Sequence, residues 1–204
     1  MKQKILKTLF VLAFLVCSTV VVRAQTSLSV GSNAPMLDHS VEDINGRSIS
    51  LSQIAESNGL IVIFTSNTCP WVSRWEGRIK SLSLTARSSN IGMIALNPNE
   101  RIRERGESIA DMKQRATKQS YNFVYAMDKD HAIADAFGAT RTPEVFLFNA
   151  DMKLVYTGNI DDNPNNASGV KNKYLENAMQ AMLEGRSISA AKIKLHGCSI
   201  KRMK

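Results

Sequence analysis

The fold is decided by the stretch Leu60-Ile61-Val62-Ile63-Phe64-Thr65-Ser66-Asn67-Thr68-Cys69-Pro70-Trp71. Its first five residues form an unbroken apolar run, which is typical of a central β-strand covered on both faces. A polar turn separates this run from Pro70, a residue that suits the first turn of a helix. Cys69 is therefore predicted between a buried strand and a helix N-terminus, where free backbone N–H groups favour the reactive thiolate. A cysteine that merely fills apolar space is the alternative.

Helical spacing continues after the proline, and further elements alternate along the chain. One predicted helix face consists of Trp71, Trp75, Ile79, Leu82 and Ala86. Strands are predicted at 91–96, 123–126, 145–148 and 153–157, and helices at 108–116, 130–137 and 170–185. Ser108 and Asp111 form a capping-box pattern, and Asp130 is the expected cap of the next helix. This alternation predicts parallel pairing, with an antiparallel edge from the last two strands.

A β-hairpin is predicted before the central strand, because Asn45-Gly46 is a two-residue turn signal between short alternating runs. Ser52 is expected to cap a short helix that ends near Asn58. The predicted fold is therefore α/β, with a central mixed sheet flanked by helices and an N-terminal β-hairpin extension. We find no internal repeat and predict one domain, residues 25–185, followed by a tail at 186–204.

The first 24 residues have the pattern of a signal peptide. Lys2, Lys4 and Lys7 precede a mostly apolar run, and Val22-Arg23-Ala24 supplies small residues for cleavage before Gln25. We expect an exported protein, periplasmic or secreted; an uncleaved anchor is the alternative. A lipid anchor on Cys17 is set aside, because bulky Val16 precedes it and apolar sequence continues beyond it.

Composition excludes several classes of function. The formal net charge is +8, and removal of four cations with the signal segment leaves +4, with no basic face that would predict nucleic-acid binding. No Gly-rich dinucleotide fingerprint is present, so no NAD or FAD is expected. His196 and Cys198 alone fall short of a zinc ligand set. We therefore predict no cofactor and no metal.

Three segments and the C-terminus show a family resemblance: Thr65–Val72, Phe137–Phe148, Tyr156–Asp162 and Gly197-Cys198-Ser199-Ile200-Lys201. Together they resemble the thioredoxin-like superfamily, and within it the exported peroxiredoxin-like redoxins, which end in a similar Gly-Cys tail. The resemblance extends from about Ser32 to Lys201. It implies a thioredoxin-like fold and thiol-dependent oxidoreductase activity.

The resemblance also implies a substrate groove beside Cys69. Pro143 is expected to be cis and to lie next to the sulfur, with the Thr142 backbone free to pair with an extended substrate. Trp71 either belongs to the core or shields the sulfur, and Arg141 is either a cation near the sulfur or a solvated residue. The full set of expected groove residues is Thr68, Pro70, Trp71, Arg141, Thr142 and Pro143.

The chain departs from both family patterns at defined positions. Val72 replaces the second cysteine of Cys-X-X-Cys, and Val62 replaces the proline of the peroxiredoxin pattern P-x-x-x-T-x-x-C, in which Ser66 keeps a hydroxyl. This sequence therefore lacks both the resolving cysteine of the usual dithiol reductase site and the proline of the standard peroxidase site. The substrate class, protein disulfide or peroxide, therefore stays open.

Either chemistry needs a second thiol, because attack by Cys69 gives a mixed disulfide or a sulfenic acid. Cys198 is the other cysteine that remains after cleavage, and we predict that it resolves the intermediate from a flexible tail. A structural disulfide, or pairing of Cys198 with a partner protein, is the alternative. Electrons are expected from another thiol protein. The rival function is a non-catalytic module that holds extended peptides beside Pro143.

Overall fold

The computed structural model describes residues 27–188 and 195–203. The strands are β1 (Val41–Asp43), β2 (Ser48–Ile49), β3 (Leu60–Phe64), β4 (Gly92–Asn97), β5 (Val124–Met127), β6 (Arg141–Thr142), β7 (Glu144–Phe148), β8 (Leu154–Gly158) and β9 (Cys198–Ser199). The α-helices are α1 (Leu51–Ile54), α2 (Pro70–Ser88), α3 (Ile109–Gln119), α4 (Ala132–Phe137) and α5 (Tyr174–Leu183). The predicted signal peptide lies outside the described residues.

Seven strands form one mixed sheet in the order β2-β1-β5-β4-β3-β7-β8. The apolar strand β3 lies inside it, parallel to β4 and antiparallel to β7. At one edge β1 and β2 form the predicted hairpin, and at the other β8 pairs antiparallel with β7. These pairings confirm the predicted thioredoxin-like α/β fold, with its mixed sheet and N-terminal hairpin.

Helices cover both faces of the sheet, which explains why β3 is apolar throughout. Leu60, Val62 and Phe64 pack on one face with α1 and α4, in the same core cluster as the Phe137 and Phe146 rings. Ile61 and Ile63 point to the other face, where α2 and α5 pack. Because successive side chains of a strand alternate between its faces, a strand buried on both sides has no polar position.

Two predicted helix caps are wrong. The cap of α1 is Ser50, not Ser52, and the Ser50 N–H donates to Gln53 Oε1 over 2.9 Å in a capping box. The N-cap residue of α4 is His131, and it is the carboxylate of Asp128, not Asp130, that accepts the Ile133 and Ala134 N–H groups at 2.9 and 2.8 Å. In each case, the polar residue that makes hydrogen bonds at the first turn of the helix lies two positions before the predicted cap. Helix α5 also begins later than predicted, at Tyr174.

No helix within residues 27–188 and 195–203 has the length and apolar character needed to cross a membrane.

Candidate active site

Cys69 lies where β3 leads into α2, as the sequence predicts. It is the N-cap residue of α2 and its side chain is 2% exposed. Its sulfur does not cap the helix. Instead, the thiol is directed to the neighbouring chain segment, where Sγ donates to the carbonyl oxygen of Thr142 at 3.0 Å. The sulfur is therefore held at the start of the helix by a backbone acceptor on β6.

The peptide bond between Thr142 and Pro143 is cis, as the resemblance implies. The carboxylate of Glu144, which is buried, accepts the backbone N–H groups of Thr140 at 2.7 Å and Arg141 at 2.9 Å. Burial raises the pKa of Glu144, although these two hydrogen bonds lower it. Glu144 thus fixes the two residues that precede the Thr142 carbonyl, a role that the sequence interpretation missed.

Residues 195–203, which belong to the predicted flexible tail, lie across the site. Strand β9 pairs antiparallel with β6, and Cys198 is the register partner of Thr142. Ile200 is buried against the core on the α4 side. Lys201 donates its N–H to Asn99 Oδ1 and accepts from the Arg101 N–H, both at 2.9 Å. The backbone that we expected to be free for substrate is therefore paired with the chain's own terminus.

This pairing brings the two cysteines together. Cys69 Sγ lies 2.8 Å from Cys198 Sγ, and both are free thiols. The separation is longer than a disulfide bond of about 2.05 Å. Formation of that bond needs a small approach of two sulfur atoms that already touch.

The other predicted groove residues lie around this pair, with roles that the structure specifies. Arg141 is neither free in solvent nor aimed at sulfur: its Nη1 donates to the Gly197 carbonyl at 2.9 Å. Trp71 is half-buried and lies against His196, with ring centroids 5.5 Å apart. Pro70 is the first residue of α2, and Thr68 donates through both N–H and Oγ1 to Glu107.

Glu107 is a further residue that the sequence interpretation missed. Its side chain is fully buried, and its carboxylate accepts hydrogen bonds from the loop between β3 and Cys69. The sequence gives little sign of this, because Glu107 stands directly before the helix cap Ser108. A solvent-exposed acid at the start of a helix has the same pattern.

The surroundings of Cys198 disfavour its thiolate form. Burial and the contact with the Cys69 sulfur raise the pKa of Cys198 to about 11, while Lys201 lowers it. Cys198 is therefore protonated at neutral pH in the reduced protein. A thiol with this pKa reacts slowly until its neighbourhood changes.

We expect alkylation of Cys198 in the reduced protein to accelerate about tenfold per pH unit between pH 7.5 and 9.5, because the thiolate fraction grows at that rate below the pKa. The measurement is iodoacetamide labelling read by mass spectrometry at this cysteine. In a Cys69→Ala control the sulfur contact is lost, so labelling at pH 8 should be faster. A plateau of the wild-type rate below pH 9 would contradict the raised pKa.

Within the part of the chain that the structure describes, no group of three or more His, Cys, Asp or Glu side chains is arranged to hold a metal ion. The imidazole Nδ1 of His196 lies 3.3 Å from Asn159 Nδ2, and the backbone N–H of His196 donates to Asn159 Oδ1 at 3.2 Å.

The Redoxin family profile matches residues 29–174, more than half of the chain. The chain is 26% identical over 129 residues to the thiol-disulfide oxidoreductase ResA of Bacillus subtilis. That match covers 63% of this chain and 66% of the relative, just under two thirds of its length.

Two solved structures are similar over most of their length. A hypothetical protein from Sinorhizobium meliloti 1021 superposes with a TM-score of 0.79 at 27% identity, covering 87% of this chain and 97% of that one. An uncharacterized conserved protein from Geobacillus kaustophilus gives a TM-score of 0.78 at 28% identity, covering 86% and 93%.

Proposed function

Because this chain belongs to the Redoxin family, we propose that it is a thiol-disulfide oxidoreductase, with Cys69 as nucleophile and Cys198 as resolving thiol. The observation that supports this most strongly is the contact between their sulfur atoms at 2.8 Å. Two thiols in contact, one of them at a helix N-terminus, are suited to close into a disulfide without rearrangement of the fold. The relative named as a thiol-disulfide oxidoreductase supports the same chemistry.

The proposed reaction has two exchange steps. The Cys69 thiolate attacks one sulfur of a substrate disulfide, forms a mixed disulfide and releases the other substrate sulfur as a thiolate. The Cys198 thiolate then attacks Cys69 Sγ and releases the second substrate sulfur. The product is a Cys69–Cys198 disulfide, two electrons have passed to the substrate, and the two cysteine protons end on the substrate thiols. A separate thiol protein then reduces the new disulfide.

A disulfide substrate is favoured over a peroxide by the surroundings of the sulfur. The Ser66 hydroxyl, at the position of the peroxiredoxin threonine, donates to Glu107 at 2.5 Å. Cys69 itself faces a backbone carbonyl and an extended strand. We therefore place peroxide second, as a substrate that would leave sulfenic acid on Cys69 for Cys198 to resolve.

The rival binding-module function is less well supported. Its groove beside Pro143 is occupied by β9, whose residue Cys198 is the register partner of Thr142. An external peptide would first have to displace this strand, together with the buried side chain of Ile200. Holding peptides is therefore not the function that this arrangement favours.

We further propose that the protein acts outside the cytoplasm, as a periplasmic or secreted protein. The support is the N-terminal pattern of cations, apolar run and small residues. Exchange between exported thiols and disulfides suits an oxidising compartment.

The test is a single-turnover reaction of the reduced protein, without its signal segment, with insulin as a protein disulfide and, separately, with hydrogen peroxide. We expect insulin to yield two substrate thiols and one Cys69–Cys198 link, at least about tenfold faster than peroxide yields the same link. Peptide mapping by mass spectrometry measures both. A faster reaction with peroxide would favour the peroxidase, and an unreactive Cys69 in both arms would leave the binding module.

A further inference from the structure

A buried carboxylate holds the loop that presents Cys69. The Glu107 side chain has no exposed surface. Its Oε1 accepts from Ser66 Oγ at 2.5 Å, from the Thr68 N–H at 3.0 Å and from Thr68 Oγ1 at 2.7 Å. Its Oε2 accepts from the Asn67 N–H at 2.8 Å and from Asn97 Nδ2 at 2.6 Å. Four of these five donors belong to the three residues directly before Cys69.

Each oxygen of the carboxylate faces a backbone N–H, that of Thr68 or that of Asn67, which can only donate, so both positions fit an acceptor only. An amide of the same size would turn an NH₂ group towards at least one of these donors. An unpaired donor in a buried place is unfavourable, because it has lost water without gaining a partner. The arrangement is therefore specific for a carboxylate, and a glutamine should not reproduce it.

The backbone around Glu107 is fixed as well. Arg103 Nη1 donates to the Glu107 carbonyl at 2.9 Å, and Asn67 Nδ2 donates to the Gly106 carbonyl at 2.9 Å. Gly106 has φ +95°, a conformation that favours glycine. These contacts set the position of the carboxylate relative to the loop before Cys69.

The segment from the end of β4 to Glu107 also holds the residues that follow Cys198. Before it reaches Glu107 it provides Asn99 Oδ1 and the Arg101 N–H, which bond the Lys201 backbone on both sides at 2.9 Å. Residues 97–107 therefore contact both the loop before Cys69 and the segment after Cys198.

We propose that Glu107 is a positioning residue that sets the thiol–disulfide equilibrium of the Cys69–Cys198 pair, a proposal that rests on the proposed function. By fixing the loop, Glu107 keeps the Cys69 sulfur beside the Cys198 sulfur. Such preorganisation raises the effective concentration of one thiol at the other. Weaker fixation lets Cys69 occupy positions out of reach of Cys198. The disulfide then becomes easier to reduce, although neither cysteine has changed.

The experiment is equilibration of the protein with mixtures of reduced and oxidised glutathione, in which two protein thiols pass two electrons to one glutathione disulfide and give two glutathione thiols. We expect Glu107→Gln to lower the equilibrium constant for the protein disulfide at least about tenfold, or ~30 mV for this two-electron couple. Ser66→Ala and Thr68→Val remove one hydroxyl donor each and should lower it by smaller factors. Alkylation and mass spectrometry measure the oxidised fraction, and circular dichroism verifies folding.

Asp43→Asn is the matched control. Asp43 is also a buried carboxylate that accepts two backbone N–H groups, at 2.8 and 2.9 Å, but it does so in the N-terminal hairpin. This variant should lose thermal stability and keep the wild-type equilibrium constant. A folded Glu107→Gln protein within twofold of wild type would overturn the positioning role, and so would an equal shift in Asp43→Asn.

The equilibrium needs no protein substrate, so the two proposals fail separately. A wild type that equilibrates with glutathione in a Glu107-dependent manner but does not reduce insulin would overturn the disulfide-reductase function and keep the positioning role. A wild type that reduces insulin with an equilibrium constant insensitive to Glu107→Gln, Ser66→Ala and Thr68→Val would overturn the positioning role alone.

Discussion

Replacement of Cys69 by serine is expected to reduce the disulfide-reducing activity at least about a thousandfold. A serine hydroxyl is not ionised at neutral pH and forms no mixed disulfide, so the first exchange step is lost. Cys198 cannot substitute for it, because burial still raises the pKa of its thiol and because it lies on the strand that covers the site. The measurement is the release of insulin thiols by stoichiometric reduced protein.

Cys198→Ser is the informative partner of this variant, because it removes the second step only. Cys69 still attacks the substrate, and the mixed disulfide then has no resolving thiol within contact distance. We expect a covalent adduct between Cys69 and one insulin chain, visible in the intact mass, at close to one adduct per protein. If both variants lost activity equally and no adduct formed, Cys69 would not be the nucleophile.

The sequence allowed prediction of those parts of the site that depend on local pattern. The apolar run of β3 and the proline at the start of α2 place Cys69 between strand and helix, whatever the rest of the chain does. Burial of β3 on both faces demands helices on both sides, and the order of elements then leaves few topologies. For this reason the sequence predicts the sheet, its hairpin edge and the position of Cys69.

The sequence predicts that Cys198 resolves an intermediate on Cys69, but it does not predict that the segment around Cys198 pairs with β6 as a strand. Strand β9 has two residues, and it pairs with another two-residue strand by backbone groups that every sequence has. Such a pairing produces no periodic pattern of side chains in the sequence. The segment therefore has the sequence pattern of a flexible tail. Glu107 was missed for a related reason, because its donors are mostly backbone N–H groups and small hydroxyls.

A substitution at Gly197 is expected to have the second large effect on the cysteine pair, because the close approach of β9 to β6 leaves no room for a side chain. A Cβ atom built at this position would lie 2.7 Å from the Thr142 carbonyl oxygen and 3.1 Å from Arg141 Cβ. The Thr142 oxygen is a backbone atom that also accepts the Cys69 thiol, so it cannot move away freely. Gly197→Ala should therefore shift β9 off β6 and separate the two sulfurs.

Overpacking of this kind costs about 1–3 kcal/mol, so we expect the equilibrium constant for the Cys69–Cys198 disulfide to fall by a factor of about 5 to about 150. Alkylation of Cys69, which is 2% exposed, should become faster as the covering strand moves. Gly77→Ala adds the same methyl group on α2, where a Cβ meets nothing within 4 Å, and should leave both measurements unchanged. If both alanine variants behaved like wild type in glutathione mixtures, the docked β9 strand would not be what brings Cys198 to Cys69.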